Sequence, residues 1–152
     1  MPLIDILDNR VFLAGMSAWI IGQLLKFPLD YLLNRRWRWG IILSPGGLPS
    51  SHSALVTATS LSIGLFEGFG TALFALSVAV AMIVIYDATG VRRQAGLHAQ
   101  ALNEIIQEFF SGKSISEKKL REVLGHSPVE VISGITLGVL IALLVWWIFP
   151  SK

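Results

Sequence analysis

The chain has 152 residues, of which 53% are hydrophobic and only 14% charged, with a mean hydropathy of +0.66. Soluble domains carry about 25% charged residues, so the composition points to lipid as the main solvent. The lack of cysteine excludes a disulfide framework and a thiolate metal site, and a formal charge of +2 is too small to indicate a nucleic-acid partner.

The length suits one domain, residues 1–152. Met1 to Arg10 carries Asp5 and Asp8, lacks a basic stretch and is not followed by a small-residue cleavage site, so the first apolar run reads as a retained helix. Four runs are candidate spans. The first, residues 11–33, is interrupted near its end by Gln23, Lys26, Pro28 and Asp30. The second, residues 53–66, is short and rich in Ser and Thr, which suits a helix facing protein rather than lipid. The third, residues 71–86, is unbroken. The fourth, residues 129–149, ends in Trp146 and Trp147, as an interfacial anchor would, and its Gly134 and Gly138 stand four apart, a spacing that permits close helix packing. The expected fold is all-α: an integral membrane bundle of about four transmembrane helices, with one or two short amphipathic helices in the polar segment 87–127. Of these, His98 to Phe110 places Leu102, Ile105, Ile106, Phe109 and Phe110 on one side, and Ser116 to Leu124 reads as a second short helix.

Charge sets the orientation. Arg35, Arg36 and Arg38 follow the first span, and Arg92, Arg93, Lys113, Lys118, Lys119 and Arg121 precede the fourth. Arg10 and Lys152 are the basic residues of the other side. Nine against two places both basic loops in the cytoplasm of a multi-pass protein of the inner (plasma) membrane. Lys26, His52, Asp87, Arg92, Arg93, His126 and Glu130 then all fall at that one face.

Gly46 to Ala54, GGLPSSHSA, makes a turn in which Ser50 or Ser51 can cap the next helix, leaving His52 in its first turn. Exposed backbone N–H groups and the helix dipole favour an anion there. The plain alternative is a capped helix start with an incidental histidine. Gly125 to Gly138 repeats the arrangement, with Ser127 as cap and Pro128 at the first helical position. His126 sits at the mouth of that helix, and Glu130, four residues on, can reach back to orient its ring for nucleophilic attack. A surface histidine beside a helix-start glutamate is the plain reading, and a metal pair ranks lower. Arg92 and Arg93 can hold phosphate in planar, bidentate fashion, or serve only as topology markers. Lys26 inside an apolar run is costly unless paired or functional, and Asp30, one turn on, is a candidate partner.

These residues together resemble the phosphatidic acid phosphatase type 2 and vanadium haloperoxidase superfamily, and in particular its divergent branch of small bacterial and plastid membrane phosphatases. That superfamily has three signatures: Lys-x6-Arg-Pro, Pro-Ser-Gly-His and Ser-Arg-x5-His-x3-Asp. Pro49-Ser50-Ser51-His52 resembles the second with one substitution, and His126-x3-Glu130 the end of the third with Glu for Asp. Lys26 and Arg35, nine apart, form a loosened version of the first. No Ser-Arg stands at the required distance before His126: Arg121 is one residue off. Arg92-x5-His98 has the spacing of the third signature, but Leu102 occupies the acidic position.

The resemblance implies hydrolysis of a phosphomonoester without metal or cofactor. His126 would be the nucleophile, Glu130 its orienting carboxylate and His52 the general acid and base. Lys26, Arg35, Arg92, Arg93, Ser50 and Ser51 would hold the phosphoryl oxygens. His98, with Asp87 and Arg121, is the alternative set. The substrate implied is a lipid phosphate such as phosphatidylglycerophosphate or phosphatidate, with membrane lipids around it and homo-oligomerisation left open. The rival readings are a non-catalytic protein that binds anionic lipid or a partner through its basic face, a metal-dependent phosphatase using Asp87, Glu104 or Glu108 with the histidines, and a transporter or channel.

Overall fold

A computed structural model of the chain describes residues 2–35, 40, 46–90 and 127–150, together with residues 96, 98–99, 101–103 and 105–106. Its elements are all helices: α1 (Pro2–Asp8), α2 (Arg10–Asn34), α3 (Ser51–Glu67), α4 (Ala72–Thr89) and α5 (Pro128–Ile148). The described residues between 96 and 106 are also helical.

Each boundary has a local cause. Asn9 ends α1 and caps α2, its side chain accepting from the Phe12 amide at 3.0 Å. Arg35 closes α2 in the left-handed region at φ 54°, where its amide donates to Tyr31 O at 2.9 Å. Ser50, Thr71 and Ser127 cap α3, α4 and α5, each accepting from the amide three residues on. Pro128 follows its cap at the first helical position, where a missing N–H costs nothing. Gly68 ends α3 at φ 105°, a conformation that strains any residue with a Cβ.

Among the described residues three helices, α2, α4 and α5, are long and apolar enough to cross a membrane. At 17 residues, α3 is shorter, about 26 Å of helix. It is the centre of the bundle, packed most extensively against α2 and α5 and also against α4. That position explains its composition. Apart from Ile63, its buried residues are Ser51, Ser53, Ala54, Ala58, Ser60, Ser62 and Gly64, small residues that let neighbouring backbones approach. The Ser60 hydroxyl donates to Ser77 O of α4 at 2.9 Å, so it is satisfied without water. By contrast α4 buries only Ala81 and Ala88, while Leu76, Met82 and Ile83 are exposed, as on a helix that faces lipid.

Glycines set the closest approaches and the register. A Cβ on Gly15 would overlap Thr59, and one on Gly22 would lie 3.2 Å from Ser51 Cα, so α2 runs antiparallel to α3. A Cβ on Gly134 would overlap the Ser50 carbonyl oxygen, and one on Gly138 would come within 2.6 Å of Ala54 O, so α5 runs parallel to α3. The apolar core is Ala14, Ala18, Ala54, Ala58, Ile141, Ala142 and Val145. Far from the Lys26 end, Arg10 donates to the carbonyls of Phe149 and Pro150, both at 3.3 Å, and lies 5.4 Å from the centre of the Phe66 ring. One cation thus ties the start of α2 to the ends of α3 and α5.

The expected helical membrane bundle is therefore what the chain forms. The additional helix α1 had no signal in the apolar runs. Residues 116–124, where a second amphipathic helix was expected, lie outside the described residues, as does much of 98–110.

Candidate anion site between two helix starts

Antiparallel packing of α2 on α3, and parallel packing of α5, bring three helix ends to one place. The carboxy-terminal part of α2 meets the amino termini of α3 and α5 there. The Ser50 amide donates to the Glu130 carbonyl oxygen at 2.9 Å, which couples the two starts directly. Their dipoles point the same way, so two partial positive charges stand side by side with amides that have no intrahelical acceptor.

The side chains at this junction are buried. On α2 every fourth residue from Ala14 through Ala18, Gly22, Lys26 and Asp30 is buried, forming one stripe that is apolar at its start and charged at its end. Lys26 has no exposed surface, and neither have Ser50, Ser51 and Ser53. Asp30 is 6% exposed and accepts from Asn34 Nδ2 at 2.6 Å. The Glu130 carboxylate, half-buried at the first turn of α5, acts electrostatically on the Lys26 ammonium. A buried cation in a membrane bundle requires such anionic company.

Hydroxyls complete the junction. Ser50 Oγ accepts from the Ser53 amide at 3.3 Å and from the Ser53 hydroxyl at 3.0 Å. Ser51 Oγ is fully buried and has no hydrogen-bond partner among the described residues. His52 occupies the first turn of α3, half-buried, with its Nδ1 out of contact with solvent. Backbone amides, serine hydroxyls and the Lys26 ammonium therefore meet at one place. Such a site suits an anion with several oxygens.

Of the residues singled out from sequence, Lys26, Ser50, Ser51 and Glu130 are brought together, with His52 beside them on α3. Arg35 stands exposed at the end of α2, Asp87 is half-buried in the last turns of α4, and His98 is an exposed residue of the 96–106 stretch. His126, Arg92, Arg93 and Arg121 lie outside the described residues, as does Glu104. Among the described residues no group of three His, Asp or Glu is placed to hold a metal. The junction also holds Asp30, which the sequence signals by its position one turn beyond Lys26, and Ser53, signalled by its place three residues after a cap.

The family model described as "Divergent PAP2 family" matches residues 7–141. An "Uncharacterized membrane protein YuiD" of Bacillus subtilis is 37% identical over 156 residues, covering 95% of this chain and 99% of that protein. No solved structure matches.

Proposed function

The chain belongs to the divergent PAP2 family, and on that premise we propose that it is a membrane phosphatase that hydrolyses a lipid phosphomonoester at the junction of α3 and α5. The observation that supports this most is the fully buried Ser51 hydroxyl, without a partner among the described residues, in the same junction as the fully buried Lys26. A buried hydroxyl without a hydrogen-bond partner is costly unless a ligand's oxygen completes it.

In this reading the phosphoryl oxygens lie against the amides that open α3, the Ser50 and Ser51 hydroxyls and the Lys26 ammonium. Arg35, Arg92 and Arg93 supply further positive charge at the mouth. An imidazole nitrogen of His126 attacks phosphorus while His52 gives its proton to the departing alcohol oxygen, so the P–O bond breaks as the P–N bond forms. His52, now neutral, takes a proton from water. The hydroxyl oxygen attacks phosphorus, inorganic phosphate leaves and His126 is restored. Glu130 serves twice: its carboxylate, four residues after His126, steadies that ring, and its charge offsets Lys26. Donors fixed in a water-poor site stabilise the charge that develops on the equatorial oxygens.

The lipid substrate class follows from the location in a membrane protein, and the basic loops favour the cytoplasmic leaflet, with phosphatidylglycerophosphate or phosphatidate as the headgroup type. Lys26, Ser50, Ser51 and Ser53 have no exposed surface, so phosphate entry requires the helix ends to part. Pro28 leaves the Leu24 carbonyl without its helical donor between Lys26 and Asp30, a weakened point at which the end of α2 can yield.

The test is phosphate release by the purified protein from a panel of lipid phosphates in micelles, with and without chelator. Release that survives chelation and disappears in both His52→Ala and His126→Ala supports the reading. Release that chelation abolishes would favour the metal-dependent alternative. No release, with retained binding to anionic vesicles, would favour the non-catalytic lipid-binding alternative.

A further inference from the structure

Ser50 and Ser53 share a single hydroxyl–hydroxyl contact of 3.0 Å. Two hydroxyls carry two protons, and one contact uses one of them. Ser50 Oγ also accepts the Ser53 amide at 3.3 Å as the cap of α3. With the Ser53 hydroxyl donating, both lone pairs of Ser50 Oγ are occupied, and the Ser50 proton is the one left over. Neither side chain has any exposed surface, so that proton cannot be given to bulk water.

We infer that Ser53 is a positioning residue that acts through Ser50: by saturating the acceptor capacity of Ser50 Oγ, it turns the Ser50 hydroxyl into an obligate donor to an oxyanion in the junction. The inference rests on the phosphatase reading and deepens it. Helix α5 holds the pair in place. A Cβ at Gly134 would meet Ser53 Cβ at 3.0 Å and overlap the Ser50 carbonyl oxygen, so the glycine backbone packs directly on both residues. The Ser50 amide is held by Glu130 O at 2.9 Å, which fixes the backbone from which the hydroxyl projects. A donor with a fixed direction is worth more to a transition state than to a ground state, because it needs no reorganisation as charge develops.

The full-length protein in lipid micelles is tested as wild type, Ser53→Ala, Ser50→Ala and the double variant, with turnover, KM and thermal unfolding measured for each. In Ser53→Ala, kcat is expected to fall roughly 10-fold or more while KM stays within about 2-fold, since the loss is of a transition-state donor. The double variant is expected to be no slower than Ser50→Ala, because a residue that acts only through Ser50 has nothing further to remove. Should Ser53→Ala fail to fold, Ser53→Cys, similar in size and a weak donor, is expected to give the same loss of kcat. Wild-type turnover in the Ser53 variants, or losses that multiply in the double variant, would overturn the role of Ser53 while leaving the phosphatase reading intact. A wild-type protein that releases phosphate from none of the lipids overturns both.

Discussion

The amide of Ser50 donates to the carbonyl oxygen of Glu130 across 2.9 Å, and this backbone bond holds the start of α3 against the start of α5. Everything buried at the junction depends on that approach, and the approach depends on Gly134, whose missing side chain leaves room for the Ser50 carbonyl. Gly134→Ala is therefore expected to destabilise the bundle by about 1–3 kcal/mol, the usual cost of overpacking. Gly138→Ala, whose Cβ would come within 2.6 Å of Ala54 O, is expected to act in the same direction, whereas Gly70→Ala, with nothing within 4 Å, is expected to change little. Unfolding in micelles compared across the three variants checks the order.

The buried Lys26 and the half-buried Glu130 interact electrostatically across two helices. Replacing Lys26 by Met keeps the volume but leaves the Glu130 carboxylate without this cation. A loss of about 2–4 kcal/mol is expected, part of it recovered in the Lys26→Met, Glu130→Gln double variant, because breaking one half of a buried pair costs more than removing both. A double-mutant cycle on unfolding free energy measures this, and additive losses would refute the coupling.

At the opposite end, Arg10 bonds the carbonyls of Phe149 and Pro150, just beyond α5, and stacks near Phe66. Arg10→Ala is expected to cost about 1 kcal/mol of stability, from partly exposed bonds and a cation–π contact. It is expected to leave phosphate release at wild-type rate, since no junction residue is touched. An activity loss comparable to that of Lys26→Met would mean that the two ends are coupled.

Pro28 is exposed within α2, two residues from each of the buried Lys26 and Asp30. Pro28→Ala restores a helical hydrogen bond to Leu24 O without removing a packed side chain. Stability is expected to rise by about 1–3 kcal/mol, given the cost of an interior proline. Turnover is expected to fall if parting of the helix ends admits the phosphate. Equal turnover in a stabilised variant would place the entrance elsewhere.

Much of this architecture was legible in the sequence because its causes are local. Apolar runs long enough for lipid predict α2, α4 and α5, and Ser50 and Ser127 announce the starts of α3 and α5 through capping chemistry that needs only three neighbouring residues. Lys26 stood out because a cation in an apolar helix demands an explanation. The junction itself was not legible. A bond from the Ser50 amide to the Glu130 carbonyl involves no side chain and leaves no mark in residue identity. Glu130 lies in sequence near His126, which drew it into one local pair, whereas its electrostatic relation to Lys26 crosses more than a hundred residues. The helix α1 leaves no periodic signal because seven residues make too few turns.

The central claim is that phosphoryl transfer occurs at the paired starts of α3 and α5 through the histidine preceding the α5 cap. It is tested most directly by rapid acid-free quenching of the purified protein during turnover of a radiolabelled lipid phosphate, followed by mapping of the labelled peptide. The account predicts an acid-labile, base-stable phosphate on His126, absent from His126→Ala. Label on His98 or on a carboxylate, or turnover with no labelled protein at any time, would contradict it.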